Sequence, residues 1–168
     1  ARIAISIVQN IPYDYVGLDT GSISGKYPYE VLYTNTGVCS EKAGLLAYLL
    51  RDLGYGAAIF RFNVENHDAV GIKCPSQYSY INSGYCFIES TTPDIITYSD
   101  GNYVRGGKLT STPEIIKISD GDSFDSVSEE YQDAQEYKQI IGMGTVLTTQ
   151  YYNLWLGLVN KYGMKTSS

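Results

Sequence analysis

The feature that most constrains this chain's fold is the stretch CSEKAGLLAYLLRDLG, Cys39 to Gly54. Leu45, Leu46, Leu49, Leu50 and Leu53 recur at three- and four-residue spacing, which on a helix makes a wide apolar stripe that must be covered. Ser40 and Glu41 fall in the first turn, where hydroxyl and carboxylate groups meet unsatisfied backbone N–H groups. Gly54 is a natural C-terminal stop. The residues that follow supply a surface for the stripe. AAIFRFNV, HDAVGIKC and GYCFIEST read as strands, with the turn-rich PSQYSYINSG between the last two. One helix followed by at least three antiparallel strands predicts an α+β fold.

Away from this block the pattern is weaker. Ile3, Ile7 and Val8 predict the apolar face of a helix over residues 2–9, stopped before Pro12. The glycine-, serine- and tyrosine-rich stretch Val16 to Tyr33 reads as a long exposed loop. TPDIITYSDGNYVRGGK predicts short strands with turns at Asp100-Gly101 and Gly106-Gly107, and EIIKIS a further strand. DSVSEEYQDAQEYKQII predicts a helix capped by a Ser126–Glu129 box. A second amphipathic helix follows, with Leu147, Tyr151, Leu154, Leu158 and Tyr162 on one face. The expected division is a core over 1–120 and additional C-terminal helices over 121–168 packed on it.

Composition narrows the function classes. Lys plus Arg number 12 against 18 for Asp plus Glu, and the basic residues are scattered. A net charge of −6 without a basic patch argues against a nucleic-acid binder. No run of about 18 apolar residues occurs, so no membrane span is expected. The opening ARIAISIVQNIPYDY reads as a helix already under way, which predicts an excised domain of a longer protein. Few lysines beside 17 tyrosines and 17 glycines favour an extracytoplasmic setting, secreted or membrane-tethered.

The chemistry centres on Cys39. A helix N-terminus lowers a thiol's pKa through its N–H dipoles, and the same N–H groups stand where an oxyanion forms in acyl transfer. Gly37 permits close approach of a substrate to the backbone. A buried structural cysteine is the alternative. His67, the chain's single histidine, opens a strand two elements later and is placed to act as general base. Glu89 lies on the strand expected to pair with that of His67, where a carboxylate can orient the imidazole. Asp68 and Asp94 compete for this role; Asp68, adjacent to His67, points to the other face. Gln9 is the candidate oxyanion donor, with Tyr13 and Tyr15 as further possibilities.

Cys74 and Cys86 sit at odd offsets from His67 and Glu89, so both thiols face away from those two side chains and share a face. They could form a disulfide, with reduced core thiols as the alternative. Setting His67 directly opposite Glu89 places Cys74 opposite Asn82, so a disulfide then requires a β-bulge. No metal site is expected: the spacing of the cysteines and histidine fits no zinc pattern, and SDGDSFDSVSEE lacks the register of a calcium loop.

These residues carry a family resemblance. GVCSEKAGLLAYLLRDLGYGAA, then HDAVGI, then GYCFIESTTP resembles the transglutaminase-like superfamily core, and KYPYEVLYTNTG resembles the approach segment of microbial members. The shared pattern is Gly-x-Cys at a helix N-terminus, a histidine opening a strand, and an acid followed by a hydroxyl residue on the next strand. The resemblance spans about Ile7 to Pro93. It implies a papain-like α+β fold and a thiol enzyme with Cys39 as nucleophile, His67 as base and Glu89 as orienting acid. The implied activity is cysteine-peptidase or amidase hydrolysis of a peptide or protein substrate through an acyl-enzyme, with no cofactor. Transamidation and a non-catalytic binding module are the alternatives. The acid in this family is more often Asp, and DAV after the histidine lacks the aromatic often found there.

Overall fold

The computed structural model describes residues 1–21 and 25–164. Its order is α1 (Arg2–Asn10), α2 (Tyr15–Thr20), α3 (Pro28–Thr34), α4 (Cys39–Asp52), β1 (Ala57–Phe62), β2 (His67–Lys73), β3 (Tyr85–Ile88), β4 (Glu114–Ser119), α5 (Ser128–Gly142) and α6 (Thr149–Tyr162). The mixed α+β class follows, with one four-stranded antiparallel sheet ordered β3-β2-β1-β4.

The leucine stripe sets the architecture. Leu45, Leu46 and Leu50 are fully buried and join Val8, Val70, Ile72, Ile88 and Phe124 in the main apolar cluster. Fully burying one such side chain stabilises by about 1.5–3 kcal/mol, so this seam dominates the fold. The other sheet face carries an aromatic cluster of Phe60, Phe62, Phe87 and Tyr103. β2 is buried on both faces from His67 to Ile72.

Several expectations change. In α1 the buried residues are Ile5, Val8 and Gln9, whereas Ile3 and Ile7 are exposed. The seam that α4 offers meets the Ile5–Val8 side, and periodicity alone did not choose between the two stripes. The Val16 to Tyr33 stretch is not one loop: α2 and α3 lie in it, and its residues 22–24 are outside the described residues. Asp14 caps α2 by accepting from Gly17 N–H at 2.8 Å, and Glu30 reaches back to Tyr27 N–H at 2.7 Å. Pro28 at the first turn of α3 fits the same logic.

Over 93–109 no regular strand forms among the described residues; the segment runs through turns, with one bridge between Tyr103 and Gly107. The Ser126–Glu129 capping box is absent too. Helix α5 begins after Val127 without a side-chain cap, and Ser126 instead accepts from Arg2, its carbonyl at 2.8 Å.

The register of β2 and β3 resolves the cysteine question. Val70 pairs with Ile88 and Ile72 with Cys86, so Cys74 falls opposite Gly84 and lies diagonal to Cys86. The two form a disulfide, with Cα atoms 5.7 Å apart. No bulge is needed. The expected direct opposition of His67 and Glu89 is replaced by a diagonal one, two residues off in the same register. Diagonal neighbours remain within reach of long side chains, which a glutamate is.

Candidate active site

Helix α4 starts at Cys39 because the residues before it are tied down. Tyr13 and Gly37 form a parallel bridge, Asp14 N–H donates to Gly37 carbonyl at 3.1 Å, and Gly37 N–H donates to Pro12 carbonyl at 3.3 Å. Glu41 accepts from Val38 N–H at 3.1 Å and from Lys26 N–H at 2.9 Å. A Cβ on Gly37 would meet Lys42 Cγ and Val31 Cγ1 at 3.2 Å, so this glycine admits the protein's own side chains rather than a substrate.

The Cys39 sulfur is half-buried and lies 4.0 Å from the Asn66 carbonyl. His67 opens β2 beside it. The ring stacks on Tyr103, with centroids 5.7 Å apart and planes within 8°. Gly106 crosses so near that a Cβ there would come within 3.2 Å of His67 Cγ; only glycine lets this segment close over the imidazole.

His67 Nε2 and Glu89 Oε2 are 2.9 Å apart, and both side chains are fully buried. A carboxylate oxygen can only accept, so Nε2 carries the proton and Nδ1 is turned to Cys39. Nδ1 is buried without a hydrogen-bond partner, and Cys39 is, with Glu89, one of the two groups that perturb the ring. Glu89 Oε1 accepts from Thr91 N–H at 2.7 Å and from the Thr91 hydroxyl at 2.6 Å.

The electrostatics favour an ion pair. Burial by itself lowers the pKa of His67, but hydrogen bonding to Cys39 and Glu89 and their charges overcome it, pushing the imidazole up to about 10. Burial raises the Cys39 thiol, yet His67 and the Asp68 N–H more than offset it and bring the thiol below its ordinary value. Both shifts stabilise thiolate beside imidazolium.

The other candidates are placed as follows. Asp68 turns away and pairs with Arg61 at 3.2 Å, while its N–H faces the Cys39 sulfur. Asp94 is buried behind Glu89 and accepts from Ile95 N–H at 2.8 Å. Burial raises it, the Ile95 N–H opposes, and the Glu89 charge adds, for a value of about 8. Gln9 does not point into the site. Its Nε2 donates to the Glu89 carbonyl at 2.9 Å and to the Asp94 carbonyl at 3.2 Å, which uses both amide protons. It is not placed as the expected oxyanion donor; it braces the turn that carries Glu89 from behind. Lys42, fully buried one turn into α4, donates to the carbonyls of Ile11 at 2.6 Å and Thr91 at 3.0 Å, tying that turn to the helix that begins at Cys39.

Thr91, Tyr103 and Lys42 were missed in the sequence. A hydroxyl two residues after an acid is a readable local signal for Thr91. Nothing in the sequence sets Tyr103 against His67, because an irregular segment carries it there. A pocket of about 570 Å³ opens over the sulfur, lined by Tyr13, Val38, Cys39, Asn66, His67 and Arg105 among others. Comparison with known proteins finds no match: no family model, no curated protein and no solved structure.

Proposed function

We propose that this chain is a thiol hydrolase of amide bonds in peptides or proteins, working through the transglutaminase-like Cys–His–acid arrangement. One observation carries the reading: the buried 2.9 Å contact of His67 Nε2 with Glu89, which leaves the opposite ring nitrogen for Cys39. In the proposed reaction the Cys39 thiolate attacks the carbonyl carbon. The C–S bond forms and the C=O π pair moves onto oxygen. Collapse of this intermediate breaks the C–N bond, and the His67 imidazolium passes its Nδ1 proton to the leaving amine. Glu89 holds Nε2–H throughout. A water then gives its proton to His67 and resolves the thioester.

The test is alkylation of Cys39 by iodoacetamide across pH. The expected wild-type profile has its midpoint below the ordinary thiol value of 9.0. In His67→Ala burial is opposed by the Asp68 N–H alone, and the midpoint rises. A wild-type thiol that labels no faster than a free cysteine would defeat the reading, as would a profile indifferent to His67.

A further inference from the structure

We propose that the Tyr13 hydroxyl is the second oxyanion donor of this site, acting with the Cys39 N–H on the carbonyl oxygen under attack. The inference deepens the thiol-hydrolase reading and rests on it. A tetrahedral intermediate on the Cys39 sulfur puts its negative oxygen at the N-terminus of α4, and one backbone N–H is a meagre partner for it. Preorganised donors aimed at that point are usually the largest single contribution to such reactions.

Tyr13 is brought there by backbone, not by chance packing. Its bridge to Gly37, with the flanking bonds at 3.1 and 3.3 Å, fixes it beside the residues leading into Cys39. Tyr15 braces the ring, with centroids 5.0 Å apart. The phenol lines the same pocket as Cys39 and His67, and Cys39 is among the groups that perturb it. The bridge to Gly37 and the shared pocket together set the phenol at the start of α4, the end at which an oxyanion on Cys39 forms. Ser40, Asn63 and Asn66 share the pocket wall, and Gln9 has both amide protons committed elsewhere. Burial and the neighbouring thiol raise the phenol's pKa, so it keeps its proton and serves as a donor. When a substrate carbonyl enters, its oxygen settles against the Cys39 N–H within reach of the phenol. The hydroxyl then turns its hydrogen onto that oxygen. The proton is shared in a hydrogen bond and not transferred; the leaving group takes its proton from His67.

The experiment compares two reactions of the same thiol in Tyr13→Phe and wild type. Iodoacetamide displaces iodide in one step and forms no oxyanion. Acylation by p-nitrophenyl acetate passes through one and releases p-nitrophenolate. The expected result is an acylation burst slower by on the order of 10²-fold in Tyr13→Phe, with the alkylation rate and its pH midpoint retained. Retained alkylation also shows that the variant keeps its folded Cys39–His67 pair. Equal acylation by the two proteins overturns this inference and leaves the hydrolase reading standing. Equal losses in both reactions also overturn it, because Tyr13 would then be placing the thiol. A wild type that alkylates like an ordinary cysteine and shows no burst overturns both.

Discussion

Glu89 divides its carboxylate between two partners, and the division fixes a proton. Oε2 faces His67 Nε2, while Oε1 is held by the N–H and hydroxyl of Thr91. In Glu89→Gln the amide oxygen keeps the Thr91 bonds, which leaves the NH₂ group facing Nε2. An NH₂ can only donate, so Nε2 must become the acceptor and the ring proton moves to Nδ1. That is the wrong tautomer for a base beside Cys39. The expected loss in acylation by p-nitrophenyl acetate is on the order of 10²–10⁴-fold, by analogy with removal of the orienting acid from other triads. Thr91→Val deletes one of the two Oε1 partners and keeps the N–H, so a smaller loss, about tenfold, is expected. Equal losses in the two variants would mean that Thr91 does more than hold the carboxylate. At this scale the sequence was legible where a residue type announces its chemistry. Cys39, His67 and Glu89 stood out as the thiol, the lone imidazole and an acid on a strand. Thr91 did not, and Tyr13 stood only as one possibility beside Gln9 and Tyr15, because a hydroxyl or phenol has many ordinary uses.

At the scale of elements, the shared ladder of β2 and β3 carries both the His67–Glu89 contact and the disulfide. The register that pairs Val70 with Ile88 puts His67 diagonal to Glu89 at one end and Cys74 diagonal to Cys86 at the other. The cross-link thus restrains the same two strands that position Glu89 and His67. It closes a segment of 12 positions, for which about 2–4 kcal/mol of stabilisation is expected. A Cys74→Ser/Cys86→Ser variant should lose that amount in urea unfolding and leave Cys39 as its only thiol. A variant as stable as wild type would show that packing alone sets the ladder. The helix α4 and strands β1, β2 and β3 were legible because their patterns are local: leucines at helical spacing, and apolar runs between turn residues. The register was not. A diagonal and an opposed pairing differ by two residues and keep every side chain on its face, so parity could not separate them. Helices α2 and α3 were hidden for another reason. They span 15–20 and 28–34, too short to show a periodic stripe, with caps from Asp14 and Glu30 and, in α3, Val31 alone entering the main apolar cluster.

Across the whole molecule, Asp94 lies where the parts meet. Its carbonyl takes Gln9 from α1, its carboxylate is sensed by Tyr98 and by Tyr137 of α5, and it lies behind Glu89. The front and back of the chain are joined close by: Arg2 bonds Ser126 and Glu130, and Phe124 and Val127 enter the main apolar cluster. Sequence patterning led to the expectation that the C-terminal helices pack on the core but gave no sign of where, since an irregular stretch separates β4 from α5. A buried carboxyl at the junction makes stability depend on pH in a direction that can be worked out. Asp94 is raised from 3.8 to about 8. Between those values the folded chain keeps a proton that the unfolded chain has released, so stability falls as pH rises, by up to about 1.4 kcal/mol per pH unit. Carboxylates with lowered values, such as Asp14 and Glu65, lose their contribution only as pH falls and lie below the window chosen. His67, raised as well, begins to matter only above about pH 6.5. Asp94→Asn keeps the oxygen that accepts from Ile95 N–H and cannot ionise. From pH 5 to pH 6.5 the unfolding free energy of Asp94→Asn should therefore gain about 2 kcal/mol on that of wild type. Urea titrations at the two pH values measure it. Parallel pH dependence of the two proteins would place the burden of that buried junction on some other group.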